Sequence, residues 1–153
     1  MTRIAKLALF AAAAFAAQPT AASVRYTYNL GIGNSFVYTA PSFITARTAI
    51  PAAKLDSCKT IAAFGACTYA QLLPTGTSFN RPDNSVVIFT TEKTGNIFSY
   101  FALGALGTPG FYTDTVLLGR NDTLNVALVP EPAALGALAL GVGLLGATRR
   151  RKA

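Results

Sequence analysis

The chain contains 153 residues and carries a formal charge of +7, from 13 lysines and arginines against 6 aspartates and glutamates. It has no histidine and two cysteines, so it cannot form an imidazole-dependent catalytic triad or a four-cysteine zinc site. We therefore expect no bound metal and no other cofactor. With the two ends set apart, residues 24–128 are long enough for one domain of ordinary size.

The N-terminal residues 1–23 have the organisation of a secretory signal peptide. Arg3 and Lys6 precede a run of eleven apolar residues, which is followed by a short stretch of small residues. Eleven residues at ~1.5 Å rise make a helix too short for a hydrocarbon core of ~30 Å, which argues against a membrane anchor. We predict cleavage after Ala22 or Ser23 and export of the remaining chain.

Residues 24–128 show the period-two alternation of polar and apolar side chains that favours half-buried β-strands. Short apolar runs are separated by turns rich in Gly, Pro, Asn and Asp, which is typical of an antiparallel sandwich. We predict an all-β, small antiparallel β-sandwich-like domain. Its predicted strands are 25–30, 35–39, 43–48, 85–91, 97–103, 112–118 and 123–128.

Residues 54–73 are left open by the pattern. Asp56 or Ser57 could cap a short helix that ends near Gly65, but the periodicity does not decide between helix and strand. The same stretch contains Cys58 and Cys67, separated by eight residues. Paired cysteines in an oxidising compartment usually form a disulfide, so we predict this bond, with two buried free thiols as the alternative.

The charges of residues 24–128 argue against nucleic-acid binding. This segment has 7 basic and 5 acidic residues, and most of the excess positive charge of the chain lies at its two ends. No two of the acids are close enough in sequence to suggest an acid–base pair, and several fall at predicted turns. We therefore predict a protein that is not an enzyme. The five acids are Asp56, Asp83, Glu92, Asp114 and Asp122.

The six tyrosines of the chain allow two interpretations. Tyrosine rings can stack on the apolar faces of sugars, which would indicate a carbohydrate-binding or adhesion module. They can equally pack in the core and across neighbouring strands. The sequence does not choose between them for Tyr26, Tyr28, Tyr38, Tyr69, Tyr100 and Tyr112.

The C-terminal residues 129–153 combine three features in a fixed order. The first is the tetrapeptide Val129-Pro130-Glu131-Pro132, which its prolines keep out of helix. The second is the uncharged run 133–148, whose 16 residues reach about 24 Å as a single transmembrane helix. The third is a basic tail, which the positive-inside rule keeps on the cytoplasmic side. The cations of this tail at 149–153 are Arg149, Arg150, Arg151 and Lys152.

This arrangement resembles the PEP-CTERM sorting signal of exported proteins in Gram-negative bacteria, with Pro130, Glu131 and Pro132 matching its motif. The resemblance implies recognition by an exosortase, an integral-membrane processing enzyme. It also implies export across the inner membrane, anchoring there by the C-terminal helix before processing, and a later location at the cell surface or outside the cell. An exopolysaccharide-rich matrix, such as a biofilm, is the setting that the family suggests.

Overall fold

The computed structural model describes residues 22–116 and 120–130, and Ser23–Val129 form one compact unit. Residues 1–21 of the predicted signal peptide 1–23 and the predicted transmembrane helix at 133–148 lie outside the described residues, whereas Ser23 begins the first strand. Within the described ranges, no helix is long and apolar enough to span a membrane. The fold is therefore that of the central domain.

The domain is all-β, as predicted, and consists of two antiparallel sheets. The five-stranded sheet has the order β4-β2-β1-β9-β8, and the four-stranded sheet has the order β3-β5-β6-β7. The first and last strands are neighbours in the five-stranded sheet. The strands are β1 Ser23–Leu30, β2 Asn34–Ala40, β3 Thr48–Pro51, β4 Ser57–Lys59, β5 Cys67–Leu73, β6 Asn84–Thr91, β7 Gly95–Ala102, β8 Gly110–Thr113 and β9 Thr123–Val129.

The main core lies between the two sheets and follows directly from the alternation in the sequence. On β1, Tyr26 and Tyr28 are fully buried, and their partners on β9, Val126 and Leu124, are buried beside them. The four-stranded sheet contributes the facing side chains, which makes this a β-sandwich. Those with the largest volumes are Ile50, Leu72, Phe89 and Phe101.

Strand β6 is buried on both faces, because a second apolar cluster covers the outer side of the four-stranded sheet. Val86 and Ile88 of β6 belong to this cluster together with Leu73 of β5. The 3-10 helix Thr77–Phe79 folds back over them, so that the Phe79 ring lies 5.1 Å from the Phe98 ring, centroid to centroid. This outer side is therefore partly covered by the domain's own chain.

The predicted strand at 43–48 is wrong: the strand in this region is β3, Thr48–Pro51. Ile44 is buried, and its backbone N–H donates to the Tyr26 hydroxyl instead of joining a sheet. The chain joins a ladder only at Thr48, which lies opposite Leu72. Because β3 is an edge strand, it tolerates Pro51, which has no N–H to donate.

The open question at 54–73 is answered by strands β4 and β5, with only the 3-10 turn Ala52–Lys54 before them. Asp56 caps no helix; its carboxylate accepts a hydrogen bond of 2.6 Å from the Thr39 hydroxyl of β2. Where a strand was predicted at 112–118, the described residues form β8 Gly110–Thr113, and residues 117 and 118 lie outside the described part of the chain. β8 ends at Thr113 because the Thr115 N–H donates to the Tyr100 carbonyl on the other sheet.

The predicted disulfide between Cys58 and Cys67 is present, and it connects the two sheets. Cys58 lies on β4 of the five-stranded sheet, whereas Cys67 begins β5 of the four-stranded sheet. The intervening loop is also held by the β6–β7 turn, since the Glu92 carboxylate accepts from the Ala66 N–H and the Lys93 ammonium donates to the Ala62 carbonyl. The bond thus fixes one edge of the sandwich.

We expect the double substitution Cys58→Ala and Cys67→Ala to lower the free energy of unfolding by about 2–3 kcal/mol, because it frees a short loop in the unfolded chain. Guanidinium unfolding of the parent and the variant measures this difference. Adding a reductant should lower the parent to the level of the variant and leave the variant unchanged. Equal stability of both chains under oxidising conditions would contradict the prediction.

Candidate functional site

The two ends of the domain lie side by side, at the point where the predicted sorting motif begins. Ser23, the first residue of β1, is opposite Val129, the last residue of β9, and its hydroxyl donates to the Val129 carbonyl at 3.4 Å. Pro130 follows at once and is exposed. The motif predicted at 129–132 therefore begins inside the last strand, without a linker between the domain and Pro130.

The remaining residues of the predicted sorting signal lie outside the described part of the chain. They are Glu131, Pro132, the apolar run 133–148, and the cations Arg149, Arg150, Arg151 and Lys152.

A buried carboxylate lies at the opposite end of β1 and β9. Asp122 has no exposed surface and accepts hydrogen bonds from the Gly31 N–H at 3.0 Å and the Ser99 hydroxyl at 2.6 Å. The Arg120 guanidinium, which is partly exposed, forms a 2.7 Å salt bridge with it. Ser99 belongs to the four-stranded sheet, so this network ties the two sheets together by polar contacts.

The backbone around Asp122 explains how the chain buries it. Asn121 adopts a left-handed conformation with φ of 56°, which Asn tolerates better than most residues. Gly31 packs so closely against this segment that a Cβ atom on it would lie 1.5 Å from the Arg120 carbonyl oxygen. Only glycine fits this contact, which brings the Gly31 N–H to the carboxylate. The sequence alone gives no sign that Asp122, which directly precedes the predicted strand 123–128, is buried.

The hydroxyl of Tyr28 extends the network through a hydrogen bond to Ser99. The number of hydroxyl protons available decides which of the two groups is the donor. Ser99 has a single hydroxyl proton, which it gives to Asp122, so at 2.8 Å the Tyr28 hydroxyl is the donor to Ser99. Burial raises the pKa of Tyr28 well above its ordinary value of 10.0, and the nearby Asp122 raises it further, whereas the Ser99 hydrogen bond lowers it. The tyrosine therefore stays protonated in the folded chain.

A serine beside a carboxylate would suggest a nucleophile with its base, but the burial of these groups argues for a structural role. Ser99 and Asp122 have no exposed surface, and Tyr28 above them is fully buried. A substrate has no access to any of the three. Among the described residues, no group of three His, Cys, Asp or Glu side chains is placed to hold a metal ion.

Most of the tyrosines prove to be packing residues. The Tyr26 hydroxyl donates to the Leu106 carbonyl and accepts from the Ile44 N–H, both at 2.8 Å, so it joins two loops across the core. Burial also raises the pKa of Tyr26. Tyr38 and Tyr112 pack against the main core as partly buried residues.

Tyr69 and Tyr100 are the two tyrosines on the outer side of the four-stranded sheet, and both contact other side chains of the domain there. The Tyr69 hydroxyl donates to the Asn96 side-chain oxygen at 3.1 Å, and the Arg81 guanidinium lies over the Tyr100 ring at 5.8 Å. Because Tyr26 and Tyr28 are fully buried, the six tyrosines do not form one common surface.

The outer side of the five-stranded sheet is different, and we call it the hydroxyl face. It is formed by alternate residues of the five strands, on the side away from the main core. Hydroxyl and amide side chains predominate, with two cations and one exposed aromatic ring. Its members are Ser23, Arg25, Thr27, Asn29, Ser35, Val37, Thr39, Ser57, Lys59, Phe111, Thr113, Thr123, Asn125, Ala127 and Val129.

Period-two alternation on β1 and β9 was the signal for this face. The sequence already showed Thr27 and Asn29, and likewise Thr123 and Asn125, at the polar positions. It could not show that these strands are neighbours. Comparisons of the chain with protein-family models, curated proteins and solved structures return no match.

Gly31→Ala should lower the free energy of unfolding by about 3 kcal/mol or more, because the methyl group overlaps the Arg120 carbonyl and displaces the N–H from Asp122. The matched control is Gly107→Ala, where the nearest atom would be 3.5 Å away. For that variant we expect the free energy of unfolding to stay unchanged or to rise by up to about 1 kcal/mol. Similar losses in both variants, measured by chemical unfolding, would show that Gly31 has no special role.

Tyr28→Phe should lower the free energy of unfolding by about 1 kcal/mol at pH 7, through loss of the Ser99 hydrogen bond. The pKa of Tyr28 is higher in the folded chain than in the unfolded chain, so its contribution to the parent's stability is complete below pH 10. That contribution declines as the pH rises further, since only the unfolded tyrosine ionises. The deficit of the variant should therefore shrink and vanish near pH ~11. Unfolding curves between pH 7 and pH 11 test this, and a constant deficit would refute it.

Proposed function

We propose that the chain is an exported, non-enzymatic cell-surface or extracellular-matrix protein, which an exosortase processes through the C-terminal motif. The observation that carries the proposal is the order of features after β9. The tripeptide Pro130-Glu131-Pro132, the apolar run 133–148 and the basic tail follow the domain directly. In this scheme the apolar run anchors the chain in the membrane until processing releases the domain.

The structure of the domain is consistent with export in two respects. The bond between Cys58 and Cys67 fits an oxidising compartment, since cytosolic thiols are usually kept reduced. β1 begins at Ser23, so cleavage after Ala22 would leave every strand of the domain intact. Cleavage after Ser23 would remove the residue that pairs with Val129. The structure therefore favours the first of the two predicted cleavage positions.

The burial of the Ser99 and Asp122 side chains supports a non-enzymatic role for this pair, because substrate cannot reach it. Two other acids form local structural contacts. Glu92 holds the loop after β4, and Asp114 accepts hydrogen bonds from the Tyr100 and Val116 N–H groups. These carboxylates support the backbone of loops and strand edges.

Glu131→Ala should block processing while export continues, because it removes the only charge of the motif. The test is the mass of the chain recovered from cells that make an exosortase, with the terminal peptides mapped. The parent should lack Arg151 and Lys152, and the variant should retain them.

The matched control for this experiment is Asp83→Ala, which removes an exposed acid from a loop of the domain. This control should be processed like the parent. Normal processing of the Glu131 variant, or an intact basic tail on the parent, would refute the proposal. In both cases an N-terminus near Ser23 would still report export, so the two steps are measured separately.

A further inference from the structure

The polar groups of the hydroxyl face are free to bind a partner, as far as the described residues show. Thr39 donates a side-chain hydrogen bond there to Asp56, and Ser23 donates one to the Val129 carbonyl. The other hydroxyl and amide side chains of the face have no hydrogen-bond partner in the described part of the domain. These are Thr27, Asn29, Ser35, Ser57, Thr113, Thr123 and Asn125.

The outer side of the four-stranded sheet provides the contrast. Asn96 accepts hydrogen bonds from the hydroxyls of both Tyr69 and Thr90 there, and the Arg47 guanidinium donates to the Gln71 side chain at 3.0 Å. Its polar groups therefore bind one another. A partner with many hydroxyl groups would find unused donors and acceptors on the hydroxyl face and few on the opposite side of the sandwich.

The charges of the hydroxyl face favour an anionic partner. Arg25 and Lys59 are exposed, and neither forms a salt bridge, since the described residues contain a single one, between Arg120 and Asp122. No carboxylate occupies an outward position of the five strands. Asp56 precedes β4 at the border of the face, where Thr39 already donates to it.

The spacing of these groups favours a polymer over a small molecule. Arg25 and Lys59 are four residues apart along the strand direction and two strands apart, which corresponds to about 16 Å. Lys59 and Phe111 lie on opposite edge strands, about 20 Å from each other. A single small sugar or ion cannot reach all three, whereas an extended chain that crosses the strands can.

Phe111 supplies an aromatic platform at one end of this line. It lies on β8 opposite Asn125 and is 67% exposed, the highest exposure among the large hydrophobic residues of the domain that the structure describes. Aromatic faces pack against the apolar faces of sugar rings, and polar neighbours bind the sugar hydroxyls. An exposed ring on a surface of hydroxyl and amide groups is thus suited to a saccharide.

We propose that the hydroxyl face binds one extended chain of an acidic polysaccharide, which crosses the strands from Lys59 to Phe111. Arg25 and Lys59 bind carboxylates of the polymer, Phe111 stacks on a sugar ring, and the free hydroxyl and amide groups between them bind sugar hydroxyls. This inference deepens the proposed function by naming a partner for the surface protein. Its test does not depend on processing by the exosortase.

A second copy of the chain is a poorer occupant of the same face. A symmetric contact would place the cations of two copies near one another and would bury many polar groups without assured partners. Val37, Ala127 and Val129 are the aliphatic members of the face in the described strands, so it offers little apolar area to drive association.

Binding of the full-length chain, purified in mild detergent, to immobilised alginate tests the proposal. Alginate is a polymer of uronic acids. We expect Phe111→Ala to weaken the binding about tenfold through loss of ring stacking. Arg25→Gln should weaken it severalfold and reduce its dependence on salt. Both side chains are exposed, so thermal unfolding should show that the variants remain folded.

Two matched controls distinguish binding at this face from non-specific binding through exposed apolar or cationic side chains. Leu103→Ala removes another exposed apolar side chain, which is 56% exposed in a loop, and Arg81→Gln removes an exposed cation that lies over Tyr100. Both controls should bind alginate like the parent. Losses in the controls as large as those in the Phe111 and Arg25 variants would overturn the assignment of the face.

Other polymers decide the chemistry of the partner. Dextran, a neutral glucan, should bind much more weakly than alginate, and polyglutamate should compete poorly at equal charge. Equal binding of dextran would refute the requirement for an anionic polymer, and equal competition by polyglutamate would refute the requirement for sugar. Absence of alginate binding, or self-association that Phe111→Ala abolishes in sedimentation experiments, would overturn the proposal.

Discussion

The burial of the Asp122 carboxylate is the constraint on which much of this domain depends. A buried charge is costly unless donors surround it, and here Gly31, Ser99 and Arg120 supply them. These donors come from the end of β1, from β7 of the other sheet and from the segment before β9. The carboxylate therefore fixes where two central strands end and how the sheets face one another. Removal of a single donor leaves the charge only partly compensated, which makes the network sensitive to small changes such as a methyl group on Gly31.

This constraint is far from the end of the domain where processing is proposed. Gly31 and Asp122 lie at one end of the β1–β9 pair, whereas Ser23 and Val129 lie at the other, about 25 Å away along the strands. Events at Pro130 are therefore separated from the network by the whole length of both strands. The disulfide acts at another point, on the edge strand β4, and restrains the sandwich independently of the network. The disulfide and the Asp122 network are thus separate contacts between the sheets, and neither includes Ser23 or Val129.

Local alternation was sufficient to predict β1, β9 and the sandwich class, because each strand has one buried and one exposed side. It failed at 43–48, where the Tyr26 hydroxyl, 18 residues away, takes the N–H of Ile44 that a strand would have used. It also gave no sign of the Asp122 network, since Gly31 lies 91 residues from its partner. Contacts of this range depend on the order of strands in the sheets. The tyrosines show the same limit, because their type allows both packing and sugar stacking, and only their position decides.

The order of the strands also brings the residues of the hydroxyl face together. Thr27 on β1 and Asn125 on β9 are almost a hundred residues apart in the chain but directly opposite each other in the sheet. A polymer that crosses the strands would contact both, and these are the strands that carry the two ends of the domain. Contacts made across β1 and β9 would oppose their separation, because pulling the terminal strands apart would also break the contacts with the polymer. Binding at this face would therefore strengthen the β1–β9 pair, which the buried carboxylate also holds at the end away from Ser23 and Val129.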